Sequence, residues 1–152
     1  LENNLYGMGT HIDDTHAGGR EIYLTAEAYN IPAAQMDGMD LVAVRDAASE
    51  ALERIRSGAG PVFLEAMTYR YRGHSTADPS SYRDRAEVEA WRKRDPIGRF
   101  KEVSLEEGLL SEEEVEGIDD DVDAAIQEAV QFAQESPDPD ADSLHDNVYA
   151  GG

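Results

Sequence analysis

Between Thr68 and Arg83 the chain gathers Arg70, Arg72, Arg83, His74 and Asp78 among many hydroxyl side chains, with Gly73 near the middle. Guanidinium and imidazole groups collected in this way suit phosphate oxygens, which they bind through charge-assisted hydrogen bonds. The alternative is a polar loop whose arginines and tyrosines only anchor it to the surface, but the density of donors exceeds what anchoring needs. A hydrolase triad of His74, Ser75 and Asp78 is set aside, because such triads draw on separate elements and no Gly-x-Ser-x-Gly elbow is present. The second candidate is Asn3-Asn4-Leu5-Tyr6-Gly7-Met8-Gly9-Thr10. An Asn side-chain oxygen and a nearby backbone carbonyl are hard ligands suited to Mg²⁺ beside a diphosphate. Taken alone, a plain Asn-rich turn is the simpler reading of that segment. His11 and His16 sit five residues apart and read as loop histidines rather than a metal site.

These loops need a scaffold. Val62 to Thr68 is a β-prone run with little polar alternation, which fits a strand covered on both faces. The Arg-rich loop therefore leaves that strand's carboxyl end, where open α/β sheets bind ligands. Ala33 to Gly38 reads as another short strand ending in a turn, and Leu1 to Tyr6 as the tail of a third. Between the first two, Leu41, Val44, Ala48, Leu52 and Ile55 mark one face of a helix over residues 41–56, capped by Asp40 and followed by Gly58. The fold class is α/β with a parallel sheet. The rest is helical. Asp84 and Glu87 open a short helix that ends near Asp95-Pro96, and Ser104 to Glu107 and Ser111 to Glu114 both match a capping box. Val115, Ile118, Val122, Ala125, Ala129 and Ala133 predict one long amphipathic helix stopping by Pro137, and Leu144 to Tyr149 a final strand or extended tail. The expected division is an α/β part over residues 1–83 and an acidic helical region over 84–152 packed on it.

Composition narrows the class. The 152 residues carry 33 acids and 13 bases, a net charge of −20, which disfavours nucleic acid and anionic membranes as partners. There is no cysteine, hence no disulfide framework and no thiolate metal site. The charge is uneven: residues 51–100 hold 10 bases and 7 acids, residues 101–152 only 1 base and 17 acids. The middle is basic, as a bound anion would require, and the acidity belongs to the carboxyl-terminal helices. Acid runs such as Glu112 to Glu114 are solvated helix surface. With only Lys93 and Lys101 beside 11 arginines, this acidity is expected to be an adaptation to high salt, as in halophiles. The opening Leu1-Glu2-Asn3-Asn4 lacks an initiator Met and any targeting segment, so a piece of a longer, cytoplasmic polypeptide is expected.

Taken together and in order, these segments resemble the alpha subunit of the thiamine-diphosphate-dependent 2-oxo acid dehydrogenases, pyruvate dehydrogenase type. The resemblance runs through Asn3 to Thr10, Asp37-Gly38-Met39-Asp40, Gly60-Pro61, Thr68 to Tyr71, Gly73-His74-Ser75, Asp78-Pro79, Ser81-Tyr82-Arg83, Trp91 to Ile97 and Val148-Tyr149, essentially the whole chain. It implies the carboxyl-terminal half of a thiamine-diphosphate-binding fold with a helical extension. By resemblance, Asn4 is a Mg²⁺ ligand, Tyr6 offers its backbone carbonyl to the same ion, and Met8 lies in the cofactor loop. His74 is similar to the active-site histidine that reaches the diphosphate, and Arg70, Asp78, Tyr82 and Arg83 to the network that orders its loop. Ser75 and Ser81 match serines phosphorylated in animal and plant relatives, where a dianion beside His74 would repel the diphosphate.

The implied reaction is oxidative decarboxylation of a 2-oxo acid with transfer of the acyl unit to a lipoyl group. The implied partners are a beta subunit in an α₂β₂ assembly and a lipoyl acyltransferase core. The family's Gly-Asp-Gly, which carries the first Mg²⁺ ligand, is absent from this sequence, so the polypeptide alone is expected to bind thiamine diphosphate poorly. Residues 11–19 look like an insertion, and Arg72 replaces a His common in pyruvate-specific members. Ala66 to Arg70 and Ser75-Thr76 are also similar to branched-chain 2-oxo acid and acetoin dehydrogenases, whereas Leu5 to Thr10 favours pyruvate. Outside the class, the chain could serve as a noncatalytic acidic interaction module that docks through its long helix.

Overall fold

In chain order the elements are β1 (Glu2–Asn3), β2 (Tyr6–Gly7), β3 (Thr10–His11), α1 (Ile12–Thr15), a 3₁₀ segment (Ile22–Tyr29), β4 (Ala33–Asp37), α2 (Leu41–Arg56) and β5 (Phe63–Met67). There follow α3 (Arg85–Arg92), α4 (Pro96–Glu106), α5 (Glu112–Glu135) and a 3₁₀ turn (Ala141–His145). The computed structural model describes residues 1–146 and 148.

β1, β5 and β4 form a three-stranded parallel sheet in that spatial order, with Asn3 opposite Met67 and Asp37 opposite Met67 on the other side. The expected α/β class with a parallel sheet is what the chain adopts. Parallel pairing of β4 and β5 needs a crossover, and α2 provides it. Asp40 Oδ1 accepts the Val42 and Ala43 N–H groups at 3.0 and 3.1 Å, and Gly58 beyond the far end has φ 83°, a left-handed stop. Gly38 has to be glycine, because a Cβ there would meet Thr68 Cγ2 at 2.5 Å and the Met67 carbonyl at 2.8 Å. This close approach brings the end of β4 against the end of β5. The opening strand is shorter than expected: after Asn3 the chain turns, and Tyr6–Gly7 pairs antiparallel with Thr10–His11 as a small hairpin.

Two compact units divide the chain at Glu106/Glu107, later than the division expected at residue 83. The first keeps α3 and α4 because their side chains are engaged with the sheet loops. Trp91 of α3 stacks on the buried Tyr69 at 5.2 Å with rings 5° apart, Arg99 of α4 pairs with Asp40 Oδ2 at 3.5 Å, and Arg94, between the two helices, pairs with Asp37 Oδ2 at 2.8 Å. Asp84 caps α3 through the Ala86 N–H at 2.9 Å.

One expected start is corrected. Ser104 does not begin a helix; it lies near the end of α4, 1% exposed, with its hydroxyl unpaired. That helix begins at Pro96, whose missing N–H suits a first helical turn, and Asp95 Oδ1 accepts the Ile97 and Gly98 N–H groups at 3.0 and 3.3 Å.

In the second unit, Ser111 and Glu114 make the full capping box, and α5 ends at Glu135 with Ser136 as its cap. The long helix is as the periodicity predicts. The expected final strand is corrected in its first part, since residues 141–145 form a 3₁₀ turn; Asn147 and Tyr149 lie outside the described residues. Among the described residues no helix is long and apolar enough to cross a membrane.

Candidate functional site

β1 and β5 are neighbouring parallel strands, so the loops that leave their carboxyl ends emerge side by side. One is Asn4 to Thr10, the other Thr68 to Arg83. They enclose a cleft lined by Asn4, Tyr6, Met8, Arg70, Arg72, His74, Tyr82 and Arg83. A second, open cleft on the same loop is lined by Gly73, Ser75, Thr76, Asp78 and Ser80, beside the same Arg70, Arg72 and His74.

The first loop is built from tandem Asx turns. Asn3 Oδ1 accepts the Leu5 N–H at 3.1 Å and Asn4 Oδ1 accepts the Tyr6 N–H at 3.0 Å. Leu5 and Met8 have φ of 71° and 54°, in the left-handed region that side chains disfavour. Leu5 tolerates this as a buried residue, whereas Met8 projects into solvent at 67% exposure, at the cleft mouth.

In the second loop Asp78 is the organiser. Its Oδ2 accepts the His74 N–H at 2.7 Å and the Tyr82 hydroxyl at 2.8 Å, and its Oδ1 accepts the Ser80 N–H at 2.8 Å. The backbone N–H groups of Ser80 and His74, and then the Tyr82 hydroxyl, hold its carboxyl below the usual value. The same Asp78 contact raises the Tyr82 phenol. Arg70 Nη2 donates to the His74 carbonyl at 3.1 Å, so His74 is held through its backbone and its ring stays exposed. Ser75 and Ser81 are exposed as well.

Arg83 ties the loops together. Its Cζ lies 5.8, 5.4 and 5.6 Å from the ring centres of Tyr6, Tyr69 and Tyr82, a three-sided aromatic cage. It also donates to the Arg70 carbonyl and, at 3.2 Å, to Ser80 Oγ. The Arg83 Nε and the Tyr69 hydroxyl are buried without a well-formed hydrogen bond.

The sequence marks Glu87 only as opening a helix and not as a site residue. Its Oε2 accepts the Tyr6 hydroxyl at 3.0 Å, which links α3 to the first loop across 81 positions. Burial, and after it this bond, pushes the Tyr6 phenol up to about 12. Asp95 makes a parallel link, accepting the Tyr71 hydroxyl at 3.1 Å. The only sequence signal for Glu87 is its place in the first turn of α3, which the helix macrodipole alone would explain.

His11 caps α1 by accepting the Asp13 N–H at 3.2 Å, and His16 Nδ1 lies 3.2 Å from the Gly19 carbonyl. Both are engaged in local loop structure.

Every sequence-predicted site residue thus lies on the two loops, and together they offer exposed cationic donors and hard oxygen atoms at the carboxyl ends of parallel strands. Donors so placed at the carboxyl ends of parallel strands can hold an anionic ligand. The model of the dehydrogenase E1 component family matches residues 1–142, and the chain belongs to that family. Similar chains include the pyruvate dehydrogenase E1 component subunit alpha of Porphyra purpurea, 41% identical over 99% of this chain and 43% of its own length. The chloroplastic subunit alpha-3 of Arabidopsis thaliana is 42% identical over 99% of this chain and 35% of its own. The subunit alpha of Rickettsia bellii is 38% identical over 98% and 45%. The chain spans less than half the length of these relatives.

Proposed function

We propose that the chain supplies the cofactor-facing loops of a pyruvate dehydrogenase E1 alpha subunit that holds thiamine diphosphate and Mg²⁺. The observation that carries this reading is the convergence of Asn4, Tyr6 and Met8 with Arg70, Arg72 and His74 around one cleft. The donor set suits the group. Asn4 Oδ1 uses one lone pair on the Tyr6 N–H and keeps another for a cation. The guanidiniums of Arg70 and Arg72 and the His74 ring are exposed toward the cleft and match diphosphate oxygens.

When bound, thiamine diphosphate supplies the nucleophilic carbon and the electron sink for decarboxylation of a 2-oxo acid. Asn4 and the Tyr6 carbonyl hold the metal, and His74 and its neighbouring arginines hold the diphosphate. Asp78, Tyr82, Arg83 and Arg70 keep the His74 loop in one shape, so the donors need no reorganisation when the anion arrives. A phosphate on Ser75 or Ser81 would place about −1.5 to −2 charges among these donors and compete for them.

Pyruvate is the substrate, a beta subunit in an α₂β₂ assembly covers the cleft, and a lipoyl acyltransferase core takes the acyl unit. The full-length subunit assembled with its beta partner should bind thiamine diphosphate in the presence of Mg²⁺ and release CO₂ faster from pyruvate than from branched-chain 2-oxo acids. His74→Ala should weaken cofactor binding in calorimetric titration. An unchanged affinity in that variant would remove His74 from the diphosphate site.

A further inference from the structure

We propose that Glu65 is a positioning residue for the metal end of the cleft, acting through Asn3; this rests on the reading of the cleft given above. Glu65 is the middle residue of β5 and has no solvent exposure. Burying a carboxylate is costly unless its lone pairs are used, and an apolar residue would fill a sheet interior at less cost. Its lone pairs are used, all on neutral donors: Asn3 Nδ2 at 2.6 Å, the Tyr23 backbone N–H at 2.9 Å and Gln35 Nε2 at 3.3 Å.

The Asn3 amide carries the effect forward. Because its Nδ2 is given to Glu65, its Oδ1 must face the other way, where it accepts the Leu5 N–H. That bond closes the first Asx turn, and the second, from Asn4 Oδ1 to the Tyr6 N–H, follows at once. Between them Leu5 is held at φ 71° while 3% exposed, against its own preference. The turn that presents the Asn4 side chain and the Tyr6 carbonyl therefore depends on which way the Asn3 amide faces, and Glu65 sets that direction. If the amide were free to flip, Nδ2 would meet the Leu5 N–H, donor against donor.

Glu65→Gln tests this with almost no change of shape, since it leaves one acceptor oxygen for three donors; with that oxygen on the fixed Tyr23 N–H and Gln35 Nε2, its own amide N–H₂ meets Asn3 Nδ2. The pair Asn3→Asp with Glu65→Gln reverses donor and acceptor between the two side chains and retains all four hydrogen bonds around them. In the full-length subunit assembled with its partner, the affinity for Mg²⁺ is measured by calorimetry with thiamine diphosphate present, and the melting temperature is measured without cofactor. Glu65→Gln is expected to weaken Mg²⁺ binding by about 10-fold, as loss of a group orienting a metal ligand does. The paired variant should recover most of that loss.

A Glu65→Gln assembly that melts lower but binds Mg²⁺ as the wild type does would overturn the proposal. If Glu65→Gln does not assemble, the paired variant decides: near-normal binding supports the proposal, and weak binding or failure to assemble overturns it. Failure of the wild-type assembly to bind thiamine diphosphate would overturn the reading of the cleft itself, a result distinct from normal binding that Glu65→Gln leaves unchanged.

Discussion

Gly73 and Asp78 lie so close that a Cβ on Gly73 would come within 2.6 Å of the Asp78 carboxyl carbon. The missing side chain is what lets one carboxylate reach the His74 N–H and the Tyr82 hydroxyl together. Gly73→Ala should therefore push Asp78 away and loosen the loop by about 1–3 kcal/mol, the usual range for forced overpacking. Trypsin would report it through faster cleavage at Arg72, with little change in overall melting temperature. Cleavage at the wild-type rate would mean that the loop absorbs the methyl group elsewhere.

The order of the same loop should depend on acid. Asp78 has a carboxyl held below its ordinary value of 3.8 by hydrogen bonds to its charged form. A depressed carboxylate stabilises the fold fully above the unfolded value, and this contribution is lost as pH falls through the lower, folded value. Loop order, followed by amide signals of His74 and Ser80, should hold from neutral pH down to the ordinary carboxylate range and fail below it. Asp78→Asn has only one acceptor oxygen for three donors, so it should loosen the loop at neutral pH and remove this acid step.

Much of the scaffold could be read locally. The strands at residues 33–37 and 63–67, the helix with its Asp40 cap between them, and the Ser111 capping box each depend on neighbours within a few positions. The two chemistry-bearing loops could be paired because both leave strand ends of one parallel sheet. Contacts made across the fold had no local signature. Glu87 meets Tyr6 across 81 positions and Glu65 meets Asn3 across 62, and in each case the sequence shows only an acid on a helix or a strand. Of the tyrosines around Arg83, Tyr69 and Tyr82 share its loop but Tyr6 comes from the other, so the cage is visible only once the loops are folded.

The Tyr6 to Glu87 bond makes an alkaline prediction. The Tyr6 phenol is pushed up to about 12, first by burial and then by Glu87. A raised value means that the neutral phenol stabilises the fold below its ordinary value of 10.0, and the stabilisation is lost as pH rises toward about 12. Glu87→Leu removes both the carboxylate charge and the acceptor it offers, but leaves the burial. Ultraviolet titration of the tyrosines should then show one phenol moved back toward its ordinary value without reaching it. An unchanged curve would mean that burial alone sets the Tyr6 value.

The acidic helix α5 predicts a response to salt. Residues 101–152 set 17 acids against 1 base, so most of their repulsion is not offset by pairing within the segment. Raising the salt from about 0.1 M to about 1 M shortens the screening length from ~10 to ~3 Å and removes most of that repulsion. The melting temperature should rise over this range, as it would for a surface adapted to high salt. A maximum at low salt would rule out that adaptation.

Ser104 separates two accounts of where α4 begins. As a helix cap, its hydroxyl would satisfy a backbone N–H, and Ser104→Ala would destabilise the protein by about 1 kcal/mol. The structure instead places it in the last turns of α4, 1% exposed and without a hydrogen-bond partner, while Asp95 and Pro96 start the helix. A buried hydroxyl that pairs with nothing is a liability, so replacing it with a methyl group should be neutral or stabilise by about 1 kcal/mol. Asp95→Ala should do the opposite, because Oδ1 caps α4 and Oδ2 holds the Tyr71 hydroxyl. Thermal unfolding of the two variants side by side distinguishes the accounts by the sign of the Ser104 effect alone.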